Sequence, residues 1–232
     1  MKNNNEMEVC PLSRQEFCTA IEERVERIGH EFRKGFLFVA EYPRSVSIFG
    51  SSRFTEENRY SKQAEHLAAR IVTELKYAVL TGGGSQGIMQ AANKGAFERG
   101  GTSIGLNIKL PRKQAENKFT TASMDFSYFF ARKVALSYAA EAYVFFPGGY
   151  GTLDELFEIL MLVQTHKIRR VPIFLVGVDF WEPLARFLKE ALYEYNNAIE
   201  KEDLALFTVT DDEDAIIKAI RAVPIRDGLP KI

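Results

Sequence analysis

Short, nearly continuous apolar runs recur along the chain at 45–50, 77–81, 102–106, 142–146 and 171–176, with a shorter one at 206–209. Runs of that length read as buried strands. Between them, 57–76, 87–99, 126–141, 151–165, 180–196 and 211–222 place apolar residues at helical spacing. Strands that alternate with helices predict a parallel sheet covered on both faces, an α/β Rossmann-like doubly wound sandwich. Ahead of the first strand, Phe17, Ile21, Val25, Ile28 and Phe32 fall three and four apart, so 12–35 is an amphipathic helix expected to pack on the sandwich or on a neighbouring subunit. The segment Asn107 to Ser123 has no clear period and is rich in Lys, Asn, Gln and Thr; it reads as a mobile flap. The expected organisation is a flexible N-terminus at 1–11 and one domain at 12–232, with its core at 44–222.

Composition changes this picture little. The 232 residues are 46% hydrophobic and 26% charged, an ordinary globular balance able to bury a full core. Thirty basic against thirty-one acidic residues leave a net charge of −1, which offers no global field for nucleic acid or an anionic membrane. Cys10 and Cys18 show neither disulfide-framework nor zinc spacing, and no metal site is expected. The polar start and the lack of a long apolar run predict a cytoplasmic protein without a membrane anchor. His30, His66 and His166 lie outside every motif and read as structural or surface residues.

The candidate chemistry sits in Pro147-Gly148-Gly149-Tyr150-Gly151-Thr152-Leu153-Asp154-Glu155, between a predicted strand and a predicted helix. Glycines there let the backbone turn tightly and approach a ligand, and the helix start attracts an anion, phosphate above all. The same residues permit a second reading, a capping box with Thr152 at the N-cap and Glu155 reaching back. Gly82-Gly83-Gly84-Ser85-Gln86-Gly87 also follows a strand and serves either ligand contact or backbone geometry. It is not a Walker loop, since no Gly-Lys-Ser/Thr follows, and it lacks a well-placed dinucleotide fingerprint. Arg132 and Lys133, in a stretch with Phe126, Phe129, Phe130, Val134, Leu136 and Tyr138, either snorkel or pair with Glu141, or else anchor an anion beside the crevice. Leu156, Ile159, Leu160 and Val163 form a helix face that is either core or subunit interface.

The run at 147–155 resembles the PGGxGTxxE signature of the LOG (Lonely Guy) family of nucleotide phosphoribohydrolases, older members of which carry the label "lysine decarboxylase". Asp125-Phe126-Ser127-Tyr128-Phe129-Phe130-Ala131-Arg132-Lys133, Thr81 to Met89 and Phe49-Gly50-Ser51-Ser52-Arg53 resemble three further signatures, in order, over about 44–190. The resemblance implies that Arg132 and Glu155 are catalytic. It implies that a nucleoside monophosphate is held by Gly50, Ser51, Gly83, Gly84, Lys133, Gly148, Gly149, Tyr150, Gly151 and Thr152, making 44–222 a nucleotide-binding core. The implied activity is cleavage of the N-glycosidic bond of AMP or a cytokinin-type nucleotide, like an AMP nucleosidase, with no cofactor, by a homodimer or higher homo-oligomer. Many members have His where Ser127 stands, and an acidic residue where this chain has Arg112-Lys113 before Gln114, which bears on the base pocket. Three other readings compete: a carrier like the molybdenum-cofactor carrier proteins, a pyridoxal-dependent decarboxylase, and a DNA-processing domain. The presence of both Arg132 and Glu155 argues against the first, the absence of a lysine in a pyridoxal context against the second, and the balanced charge against the third.

Overall fold

In a computed structural model that describes residues 13–109 and 116–224, seven parallel strands form one sheet with helices on both faces. The strands are β1 (Ser45–Phe49), β2 (Ala78–Thr81), β3 (Ser103–Ile108), β4 (Ala122–Phe126), β5 (Ala142–Phe145), β6 (Ile173–Leu175) and β7 (Thr208–Val209), in the order β4-β3-β2-β1-β5-β6-β7. The helices are α1 (Arg14–Ala40), α2 (Arg59–Arg70), α3 (Gly87–Glu98), α4 (Phe129–Ala139), α5 (Tyr150–Gln164), α6 (Val178–Phe187) and α7 (Glu213–Arg221). α2 and α6 continue into π-helical segments at Ile71–Leu75 and Leu188–Tyr195, and a 3₁₀ segment spans Lys201–Ala205.

Central strands are buried from end to end, as apolar runs covered on both sides should be. Their alternation divides the core. Phe49, Leu80, Tyr143 and Phe145 face α4 and α5 with Leu136, Leu156 and Ile159. Val46, Ile48, Val79 and Val144 face α2, α3 and α7 with Leu67, Ile88 and Ile216. Leu156, Ile159, Leu160 and Val163 are therefore core rather than interface.

β1 lies between β2 and β5, with Val46 opposite Val79 on one side and Ala142 on the other. The chain winds outward in both directions from this pair. Such a reversal opens a crevice at the carboxyl ends of the two strands, where Gly50-Ser51-Ser52 and Pro147-Gly148-Gly149 emerge.

Three expectations are corrected. The first is the stretch at 122–128, read as the end of a loop and the start of a helix; it contains the edge strand β4, of whose five residues only Phe126 is buried. α4 begins at Phe129, after an extended Tyr128, and the N–H groups of Ser127 and Tyr128 are taken by the Glu31 carboxylate of α1, at 2.7 and 3.1 Å. The second is the extent of α1, which runs to Ala40 rather than ending near 35; within this chain its N-terminal half is exposed, Phe17, Ile21 and Val25 included. The later part packs on the sandwich: Phe32 meets Phe130 and Phe36 meets Tyr138, with ring centroids 6.1 and 4.9 Å apart. The third is the pairing of Arg132 or Lys133 with Glu141, whose carboxylate is held by Arg169. The expected flexible N-terminus at 1–11 and positions 110–115 of the expected flap lie outside the described residues; of the rest of the flap, Asn107 and Ile108 belong to β3 and Ala122 and Ser123 to β4. His66 pairs with Glu213 on the surface at 2.7 Å, and His30 and His166 are exposed.

Candidate active site

Three loops meet above the switch point. Ser51 N–H donates to Pro147 O at 3.0 Å, and Ile88 N–H donates to Ser51 O at 3.0 Å, so the turns after β1, β2 and β5 are stitched together by backbone. Two glycines make the approach feasible. Gly87 has φ +67°, and a Cβ there would strike Ser51 O; a Cβ on Gly148 would strike Thr152 Oγ1.

The resulting cleft encloses about 550 Å³. Gly50, Ser51, Gly149, Tyr150, Gly151 and Thr152 line it, together with Arg132 and Glu155. On one side stands the start of α5. The helix begins at Tyr150 with Gly149 as its N-cap and no capping side chain, which rules out the capping box: Thr152 lies inside the first turn and Glu155 one turn further. The first intrahelical bond is Leu153 N–H to Gly149 O, so the helix itself leaves the amides of residues 150–152 unused. Gly149 and Gly151 face open space.

One turn into the same helix, Glu155 forms an ion pair with Arg132 from α4, Nη2 to Oε1 at 3.7 Å, with side chains only 13% and 16% exposed. Arg132 Nη1 donates to Gly82 O at 3.3 Å, its face lies 5.6 Å from the Phe129 ring, and its Nε is buried without a partner. Burial pushes the Glu155 carboxyl up to about 7, against the pull of Arg132 in the other direction. Burial also lowers the guanidinium from its ordinary value, which still leaves it charged at any physiological pH.

Other expected ligand residues take different positions. Lys133 turns away from the cleft, its Nζ held by Asp154 at 2.8 Å and Glu158 at 2.7 Å, and so ties α4 to α5. Within the triple glycine only Gly82 lines the cleft. Gly83 donates its N–H to Thr81 Oγ1 at 3.0 Å and packs on Asn107; Gly84 accepts from Asn117 at 3.0 Å. A buried amide, Asn93, anchors this loop through Thr81 (2.7 Å), Ser103 (2.8 Å) and Asn117 (2.9 Å). Phe49, Ser52, Arg53, Gly82, Met89 and Leu153 line the cleft without having been singled out as ligand residues, although all six stand inside the quoted signatures.

The family model described as "Possible lysine decarboxylase", the older label of the LOG family, matches residues 89–220. The chain belongs to that family. Among curated LOG relatives, the cytokinin riboside 5′-monophosphate phosphoribohydrolase LOG5 of Arabidopsis thaliana is 26% identical over 190 residues, 79% of this chain and 80% of the relative. LOG2 of the same plant is 30% identical over 156 residues, 65% of this chain and 71% of the relative. Among solved structures, the molybdenum cofactor carrier protein of Chlamydomonas reinhardtii matches with a TM-score of 0.56 and 26% identity over 77% of this chain and 95% of that one. The molybdenum cofactor binding protein of Rippkaea orientalis, at 0.55 and 18% over 77% and 96%, shares the fold.

Proposed function

We propose that this LOG-family chain is a hydrolase that cleaves the N-glycosidic bond of purine nucleoside 5′-monophosphates of the adenine or N6-substituted adenine (cytokinin) type, giving free base and ribose 5-phosphate. The observation that carries the reading is the buried Arg132–Glu155 pair sharing one cleft with an uncapped helix start.

The chemistry follows from charge. Breaking the bond between C1′ and the base builds positive charge on the sugar and negative charge on the leaving nitrogen. Glu155, as carboxylate, stabilises the sugar cation and takes a proton from the attacking water; a group near pH 7 suits a general base at neutral pH. Arg132 holds Glu155 and favours departure of the base. The amides of residues 150–152, with Ser51 and Thr152, hold the 5′-phosphate, whose binding energy supports orientation at C1′. The new bond joins water oxygen to C1′ as the bond from C1′ to the base breaks; the departing base takes up a proton from solvent, and the proton received by Glu155 returns to solvent.

A Schiff-base decarboxylase requires a lysine in the cleft, and among the described residues none lines it. Molybdenum-cofactor carriers share the fold; the paired Arg132 and Glu155 favour a catalytic role over simple carriage. No helix among the described residues is long and apolar enough to cross a membrane. We expect a cytoplasmic homodimer or higher homo-oligomer.

The test incubates purified protein with AMP, isopentenyladenosine monophosphate, GMP and the matching nucleosides, and quantifies base and ribose 5-phosphate. Release from monophosphates, lost in Glu155→Gln and Arg132→Ala, supports the reading. Nucleotide binding without cleavage overturns it in favour of a carrier.

A further inference from the structure

Beside the cleft lies a second cavity of about 320 Å³, at the lower end of the roughly 300–1,000 Å³ typical of small-molecule sites. Ser52 and Arg53 line both spaces. α3 forms the partition: Met89 faces the cleft, whereas Gln86, Gln90 and Lys94 face the side cavity.

Its chemistry differs from that of the cleft. Lys94 Nζ is held by both Glu65 oxygens, at 3.0 and 3.1 Å, and Arg53 is balanced by Glu56, so the walls carry no surplus positive charge for a second phosphate. Phe54 supplies an aromatic surface, backed by Tyr60 with ring centroids 6.0 Å apart and planes 25° apart. Gln86 leaves the start of α3 uncapped, and Gln90 follows four residues on, so both amides stand on one helix face. Each amide pairs a donor with an acceptor, the pattern that matches the edge of a nucleobase. On the α2 wall, the Ser61 hydroxyl is buried without a hydrogen-bond partner, an unmet bond that costs stability unless something supplies it.

We propose that the side cavity is a subsite for a free purine base. The hydrolase reading supplies the origin of that base, as leaving group from the adjoining cleft; the recognition itself rests on the cavity. The base crosses at Ser52–Arg53 and stacks on Phe54 with its edge toward Gln86 and Gln90, while ribose 5-phosphate keeps the α5 end of the cleft.

Calorimetric titration of adenine into the protein, with ribose 5-phosphate already saturating, tests this without any turnover. The expected result is that adenine binds alongside ribose 5-phosphate and that Gln90→Leu weakens adenine about tenfold or more, the loss of one good base-edge contact. Gln86→Ala, at an exposed position, weakens it several-fold, while the affinity for ribose 5-phosphate stays within about twofold in both variants. Displacement of adenine by ribose 5-phosphate, unchanged adenine affinity in both variants, or no binding at millimolar adenine overturns the proposal. Adenine binding that depends on the glutamines in a protein that never cleaves AMP leaves the subsite standing and removes the hydrolase.

Discussion

Replacing the carboxylate at the centre of the cleft should make the protein more stable, and only in one pH range. Burial raises Glu155 from its ordinary 4.5 to about 7, so the folded protein binds that proton more tightly than the unfolded chain. Between those values the folded state carries more protons, and stability falls as pH rises from about 4.5 through about 7. At roughly 1.4 kcal/mol per pH unit, the ionised carboxylate costs about 3 kcal/mol above the upper value. Glu155→Gln has the shape of the protonated acid without its titration. It should match the wild type near pH 4.5 and exceed it by about 3 kcal/mol at pH 8. For a chain of this size that is about 6–12 °C in Tm. The assay is thermal unfolding of both proteins across pH 4.5–8.5 at fixed ionic strength. A gap that stays constant with pH, or a variant less stable at pH 8, would refute the reasoning, because either would mean that the ionised carboxylate is well solvated or fully compensated by Arg132. The same experiment bears on function, since a group kept where it destabilises the fold is one that some other requirement holds there.

Three further outcomes follow from the geometry. If Glu155 acts as carboxylate, kcat/KM for base release should fall about tenfold per unit as pH drops below about 7, and in Arg132→Met, which removes the charge that pulls the carboxyl down, the Glu155 step in the pH dependence of stability should move upward; a kcat/KM profile flat between pH 5.5 and 8 would exclude Glu155 as the base. Gly148→Ala should lose about 2 kcal/mol or more of stability by denaturant unfolding, because its Cβ meets Thr152 Oγ1, whereas Gly151→Ala, facing open space, should unfold like wild type yet raise KM for the monophosphate. Asn93→Ala should cost about 3 kcal/mol in urea titration, since it strips partners from Thr81, Ser103 and Asn117 around the loop that carries Gly82.

The layered sheet was legible because its inner strands are covered on both faces and therefore apolar throughout, as β1, β2 and β5 are. β4 was not, because an edge strand with one buried residue in five leaves no run to read. The N–H groups just ahead of α4 are taken by Glu31, nearly a hundred positions upstream, and no local signal reveals such a contact. Within the site, the glycine-rich start of α5 was legible from local sequence alone. Met89 and Arg53 stand inside the quoted signatures, but their arrival at the cleft depends on how the three loops dock. Lys133 shows the limit from the other direction: adjacent to Arg132 in sequence, it sits on another face of α4, turned from the cleft and toward the carboxylates of α5.

That turn bears on how the cleft keeps its electrostatics. Asp154 and Glu158 flank Glu155 and push its carboxyl further up, while Lys133 and Arg132 pull it down. Lys133 neutralises both flanking carboxylates at hydrogen-bond distance, so that Arg132 is left facing Glu155 alone from inside the cleft. Without the lysine, two unscreened negative charges would drive the buried carboxyl toward its protonated form and draw Arg132 out of line. The two basic residues thus act on Glu155 from two faces of a helix: Arg132 pulls its carboxyl down directly from inside the cleft, and Lys133, with a smaller pull of its own, neutralises the flanking carboxylates from behind.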